Sequence, residues 1–371
     1  MKSFYTFVLL VVVLATFQLG GCTRTIDPPP PGGVYRSESA GASFDQSVNI
    51  KNMPGEYVAR FNLREIFRLP GNPDIIYIAA GENGIITSED GGKEWRVIET
   101  PLTFATDVVV LENGVIVAAG TDGSGQGFVV RSLDKGESWN SVFTIPVPVE
   151  DKGIQIVGGA DVRPSVVISI EIDPFNPGRI YGGSSLGTLF IAEQSGKTWR
   201  TLFTLRSDNA IQATNEITGV ARLLPSPHVP GELIIITTDN RLLKIANNTQ
   251  QEIEIPQYIS TPAPVFGSNQ TQEALDVAYI PGFPEALFVG VETGAVVTRD
   301  LGQSWVELPV PIEATERFNT IQVDVSPTNV NRMFVVVNEV IYRSEDGGVS
   351  WNTFSLGLPQ HTIVDFSINP A

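Results

Sequence analysis

With a single cysteine, Cys22, the 371-residue chain can form no internal disulfide, so its stability has to come from burial and from sheets that close on themselves. Its two histidines, His228 and His361, stand at no metal-ligand spacing, which removes a zinc site. Basic residues are scarce: 24 Lys and Arg against 41 Asp and Glu give a formal charge of −17. That balance excludes nucleic acid and an electrostatic hold on anionic lipid, and it favours a basic partner or cations. No block of like charge stands out, so the acid is spread over a solvated surface. Beyond the amino-terminal segment there is no amphipathic helical stretch. No cofactor motif is recognisable, and the expectation is neither cofactor nor metal.

What the chain does have is repetition. Five eight-residue segments are nearly alike: Ser88-Glu-Asp-Gly-Gly-Lys-Glu-Trp95, Ser132-Leu-Asp-Lys-Gly-Glu-Ser-Trp139, Ala192-Glu-Gln-Ser-Gly-Lys-Thr-Trp199, Thr298-Arg-Asp-Leu-Gly-Gln-Ser-Trp305 and Ser344-Glu-Asp-Gly-Gly-Val-Ser-Trp351. The chain's five tryptophans each close one copy. Two worn copies, Ser37–Phe44 and Ala246–Ile253, fill the gaps, and successive closing positions are 51, 44, 60, 54, 52 and 46 residues apart. A period of this length means one supersecondary unit per copy, stacked on its neighbours.

Apolar β-branched runs flank each copy, as in Ile85-Ile86-Thr87 before and Arg96-Val97-Ile98 after. Two strands joined by a Gly-containing loop read as a hairpin, in which Asp accepts backbone N–H groups and Trp wedges between units. A Pro turn recurs upstream, as in Ile172-Asp-Pro-Phe-Asn-Pro177 and Leu69-Pro-Gly-Asn-Pro73. The unit is therefore strand A, Pro turn, strand B, short turn, strand C, eight-residue loop, strand D: a propeller blade. Six units run from about residue 60 to 355. Val34-Tyr-Arg-Ser-Glu38 repeats Ile341-Tyr-Arg-Ser-Glu345, and Thr362–Pro370 resembles a strand A. The expectation is an all-β propeller of seven blades, six complete and four-stranded and the last shared by the two termini. Six blades with a partial closing strand is the second choice.

The pattern Ser-x-Asp-x-Gly-x-Thr/Ser-Trp resembles the Asp-box, or BNR repeat, of β-propellers, with Asp90, Asp134, Asp300, Asp346 and Trp95, Trp139, Trp199, Trp305, Trp351 as its structural residues. Repeated identical carboxylates around a ring do not converge on one substrate, so these aspartates read as structural. In length, export and repeat style the chain resembles single-propeller proteins of the photosystem II stability and assembly factor type. That resemblance covers 34–371 and implies a binding scaffold; the client does not carry over to so acidic a chain.

At the amino terminus Lys2 precedes an apolar run, Phe4 to Phe17, that is a signal-peptide core and short for a membrane span. Leu19-Gly20-Gly21-Cys22 resembles a bacterial lipobox, which implies lipidation of Cys22. The divisions are a lipoprotein signal peptide (1–21), a lipidated Cys with a Pro-rich tether (22–33) and the propeller (34–371). The tether spans about 30 Å at polyproline geometry. The resulting address is the bacterial cell envelope, on the extracytoplasmic side of a membrane.

Candidate chemistry is thin. Gly183-Ser-Ser-Leu-Gly187 fits G-x-S-x-G but joins two strands, whereas that motif needs a strand-to-helix elbow. Asp122-Gly-Ser-Gly-Gln-Gly127 opens like a calcium loop and lacks its bidentate Glu. Phe67-Arg68-Leu69-Pro70 is similar to an element of sialidases, but it aligns with the Pro turns of sibling units. The expected function is a non-enzymatic scaffold for a protein or cell-surface polymer; the alternative is an Asp-box glycoside hydrolase, sialidase-like or another exo-glycosidase. B–C turns and D–A connections share one rim, and it holds the longest irregular segments, so it is the expected ligand face. Its candidates are Glu82, Asp122, Asp161, Arg163, Arg206, Asp208, Asp239, Tyr258, Glu292, Arg317 and Glu339.

A Cys22→Ser chain is expected to leave the membrane fraction or to remain unprocessed. Fractionation with mass spectrometry checks this, and a soluble, unlipidated wild type would overturn it.

Overall fold

The computed structural model describes residues 32–38, 43–145, 165–205, 218–256, 274–312, 321–337, 340–354, 357–358, 363 and 365–368. Six four-stranded sheets form, each with its strands antiparallel in the order A-B-C-D. Blade 1 holds Ile66–Arg68, Ile76–Ala79, Ile85–Ser88 and Arg96–Ile98; blade 2 holds Phe104–Val110, Ile116–Thr121, Gly127–Ser132 and Asn140–Thr144. Blade 3 holds Val167–Asp173, Asn176–Ser184, Thr188–Glu193 and Thr198–Thr204; blade 4 holds Val220–Pro225, Leu233–Thr237, Leu242–Ala246 and Thr249–Glu252. Blade 5 holds Ala274–Tyr279, Leu287–Val291, Gly294–Thr298 and Val306–Glu307; blade 6 holds Ile321–Val325, Met333–Val337, Val340–Ser344 and Asn352–Phe354.

The expected seven-bladed ring is corrected to six blades. Val34–Arg36 and Asp45–Ser47 make a two-stranded sheet of their own, and 365–368 lie in no strand. Between that hairpin and blade 1 the chain spends its residues on isolated bridges and a 3-10 turn at Val58–Arg60, so no strand B is supplied. The carboxy-terminal run meets its neighbours through side chains instead: Asp365 accepts the Ile66 N–H, Arg68 Nε donates to Ser367 Oγ, and Phe366 lies 6.1 Å from Phe334 of blade 6.

Burial is concentrated at the seams. Blades 1 and 2 share Ile85, Ile98, Val108 and Val130; blades 2 and 3 share Val117, Val129, Ile170 and Phe190. Similar clusters join blades 3 to 4, 4 to 5 and 5 to 6, and a further one packs Ile50 and Val58 on blade 1. A blade alone would leave both faces wet, so the blades are stable only as neighbours.

Four of the eight-residue loops are built alike. In blade 2, Ser132 Oγ donates to Asp134 Oδ1 at 2.7 Å and accepts the Gly136 N–H, while Asp134 also accepts the Ser138 N–H. Blades 1, 5 and 6 repeat this with Asp90, Asp300 and Asp346. These donors, the Ser138 and Ser350 hydroxyls first, hold the Asp134 and Asp346 carboxyls down at about 2. Gly136 has φ +90°, and a Cβ there would lie 2.2 Å from Ile98 of the preceding blade. The Asp is absent in blades 3 and 4, whose hairpins turn on Gln194-Ser195 and Asn247-Asn248, each in left-handed conformation.

Every tryptophan packs on the seam toward the preceding element. Trp95 is 1% exposed and its indole donates to Ser47 Oγ. Trp139 and Trp305 donate to the Glu99 and Glu254 carbonyls of the preceding connections and are half-buried, as are Trp199 and Trp351. Trp199 stacks on Phe143 of blade 2 at 5.5 Å. Trp95→Ala is expected to cost about 3–5 kcal/mol, and Trp139→Ala less, in denaturant unfolding. Equal and small losses at both would show that the seams do not depend on these rings.

Candidate functional site

Strand A is an edge strand of every sheet, and it meets the neighbouring strand A between blades 1 and 2, 2 and 3, 3 and 4, and 5 and 6, around the central channel of the propeller. An inner edge strand has no further strand to satisfy its outward N–H groups, so some other acceptor must. Asp107, Ser169, Arg222 and Asp276 occupy one level of this wall: each follows a one-residue bulge and faces Ala119, Gly183, Ile236 or Gly290 on strand B. Glu65, just before the Ile66–Ile78 pair, is at the same level.

Three aspartates stitch the ring here. Asp107 takes its own Val108 N–H on Oδ1 and the Ile170 N–H of blade 3 on Oδ2, both at 2.7 Å. Asp276 takes Val277 and, at 2.9 Å, Val323 of blade 6. Asp365 takes Phe366 and, at 2.7 Å, Ile66 of blade 1. Blade 4 joins through Arg222, whose guanidinium lies 2.6 Å from Asp276 Oδ1.

Burial raises the proton affinity of these acids. Glu171 is pushed up to about 8 by burial and then by Glu65, with Arg222 opposing. Burial carries Asp324 and Asp365 to about 7, helped by Asp276 and by Glu65 respectively. Asp107 and Asp276 are raised as well, burial leading in both. Arg222 is held charged: its burial is outweighed by Asp276, Glu65, Asp365 and Glu171 together. Although it sits inside the ring, the Arg222 side chain is still 34% accessible, so solvent enters the channel. Among the described residues no three His, Cys, Asp or Glu side chains are grouped to hold a metal ion.

None of these wall residues was singled out from the sequence. The signal present was the recurrence of Asp before an apolar residue at strand A starts, in Thr106-Asp-Val, Leu275-Asp-Val and Val364-Asp-Phe. Of the expected rim residues, Glu82 and Asp239 are exposed on the B–C turns of blades 1 and 4, and Asp239 pairs with Arg241 at 2.9 Å. Glu292 is on the same turn of blade 5. Asp122 spends its carboxylate on the Ser124 and Gln126 N–H groups of its own turn, and the Ser124 hydroxyl leads in lowering its proton affinity. Asp161, Arg163, Arg206, Asp208, Tyr258, Arg317 and Glu339, like Cys22, lie outside the described residues. Arg68 is occupied structurally, donating to Ser367 Oγ and the Pro73 carbonyl at 2.8 Å.

The carboxyls raised in the folded state are ordinary acids in the unfolded chain. Their contribution to stability is complete below the unfolded pKa and is lost as pH rises through about 7–8. The loop aspartates have the opposite sign: their contribution is lost as pH falls below about 4 toward about 2. The melting temperature is therefore expected to be higher near about pH 5 than near about pH 8.5, and Asp324→Asn should flatten that slope. A melting temperature that climbs from pH 5 to 8.5 would contradict this assignment.

No protein-family model matches the chain, and no curated protein matches it. Among solved structures it is similar to YCF48 from Cyanidioschyzon merolae, at 14% identity, 79% of this chain, 85% of that one and a TM-score of 0.53. It is also similar to Saccharomyces cerevisiae Sqt1, at 11% identity, 81% and 74% coverage and a TM-score of 0.50. A structure of YCF48 bound to D1 peptide aligns at 16% identity over 78% and 84% of the chains, with a TM-score of 0.48. At these identities the likeness establishes the fold: an all-β propeller of six blades that resembles YCF48.

Proposed function

We propose that this propeller is a non-enzymatic scaffold that binds another protein or a cell-surface polymer through the rim of its B–C turns. In this reading it is held at the extracytoplasmic face of a membrane by lipid on Cys22, and its eight-residue loops are Asp-boxes. The observation that carries the proposal is the acidic mouth of the channel. Strand A enters the ring from this rim, so the level of Glu65, Asp107 and Asp276 lies just beneath exposed Glu82 and Asp239. Among the described residues of these layers the acids outnumber Arg222 and Arg241, which favours a basic partner over an acidic one.

The position of the tether supports the same face. Val34–Arg36 occupies the place of a strand C next to blade 1, since its partner strand receives the Trp95 indole just as the connection after blade 1 receives that of Trp139. The chain thus enters the propeller from the B–C rim, and a partner bound there would sit on the membrane side. No helix of the described residues is long and apolar enough to cross a membrane. The glycosidase reading loses its most specific fragment, because Arg68 serves the ring closure.

Reversing Glu82, Asp239 and Glu292 to Lys together is expected to weaken capture of the partner from solubilised membranes and to reduce the salt dependence of binding. Substitutions on the rim of the eight-residue loops should leave both unchanged. Binding that maps to the loop rim instead would sink the proposal.

A further inference from the structure

We propose that the channel mouth holds one cationic side chain of a partner polypeptide, an arginine or a lysine, against Glu65, Glu171 and Asp365. This rests on the scaffold reading above and names the chemistry its partner must present. Arg222 is the cation that acts on Glu171, Asp276, Asp324 and Asp365, and it is already committed to Asp276 at 2.6 Å. Neither Glu65 nor Glu171 makes a side-chain hydrogen bond to a described residue, although each lies in the field of the other. Among the described residues, acid groups are therefore left without a cation of their own where solvent still reaches.

A second observation is independent of charge. Ser169 is 2% exposed, and its hydroxyl has no hydrogen-bond partner. It occupies the level of Asp107, Arg222 and Asp276, and strand alternation puts it on the side of Glu171. A buried hydroxyl without a partner costs free energy that an entering donor would recover.

The form of the ligand follows from spacing. A calcium or magnesium ion needs several oxygens at about 2.0–2.6 Å, and no three acids here are so grouped among the described residues. A guanidinium carries five donors in a plane and an ammonium three, so either can reach acceptors on separate strands. Arg222 is itself a guanidinium accommodated at this level. Entry of a second cation would also drive a proton off Glu171 into the buffer, since the carboxylate is the form that the cation binds.

The test uses the full chain and a blocked pentapeptide, Gly-Gly-Arg-Gly-Gly, beside its uncharged citrulline counterpart. Calorimetry is expected to show binding of the arginine peptide, with the citrulline peptide about tenfold weaker. Glu171→Gln, which keeps the shape of an acid that burial holds largely protonated and so should fold, is expected to weaken the arginine peptide about tenfold, and Ser169→Ala about threefold. Titrations near about pH 7 in two buffers of different ionisation enthalpy should show proton release that Glu171→Gln reduces, Asp365 supplying the rest. Equal binding of the two peptides, or unchanged binding by Glu171→Gln, would overturn the proposal. So would saturable displacement of the peptide by calcium, which would make this a metal site. If the natural partner docks on the loop rim while the arginine peptide still occupies the channel, the rim reading fails and this one stands. If partner capture survives Glu171→Gln but not the rim reversals, the channel proposal falls alone.

Discussion

The structure depends on how its inner edge is satisfied. Six sheets radiate from a common axis, and the strand nearest that axis has no partner on one side. Carboxylates supply the missing acceptors: Asp107, Asp276 and Asp365 each bond their own following N–H and one in the next element. The seams outside this ring are apolar and non-directional, so they hold blades together without fixing their angular register. The aspartates add the direction. Asp365 matters most for closure, because it ties the end of the chain to the start of blade 1.

That solution concentrates acid in a narrow space. Several carboxyls there are raised toward or above neutrality, burial being the largest cause in each, and one arginine offsets only part of the charge. Ion pairs so deep are weak evidence for stability, since desolvation consumes much of the attraction. The ring is better understood as fixing geometry at some cost in stability above neutral pH. If these acids receive a partner's cation as proposed, a structural device and a recognition surface share residues.

The two rims divide their labour by chemistry. On one, the eight-residue loops consume their own polar groups: Ser or Thr, Asp and backbone N–H close on each other, leaving little to offer a ligand. On the other, the B–C turns are short and carry exposed acids above the channel mouth. The described chain enters the propeller at Val34 from this second rim, the side of the acidic mouth.

How much of this was legible in the sequence differs by level. The loop copies, the Pro turns and the flanking β-branched runs determined the strands and their order, because hairpin chemistry is local: Ser132, Asp134 and Gly136 bond within five residues. The same locality showed that Gly183–Gly187 and Asp122–Gly127 are hairpin turns. The number of blades was not local. Val34–Glu38 looks like a strand C and Thr362–Pro370 like a strand A, but whether they complete a blade depends on a strand B that only the packed ring can grant or refuse, and none forms among the described residues. The wall of acids escaped for a related reason. Glu65, Asp107, Arg222, Asp276 and Asp365 lie as much as 300 residues apart, and nothing in their spacing marks them as neighbours. By itself the sequence determined the repeating unit, since each unit is written in contiguous residues. The tertiary structure decided how many units close and which charges face one another, since both are set by the curvature of stacked sheets and not by any single segment.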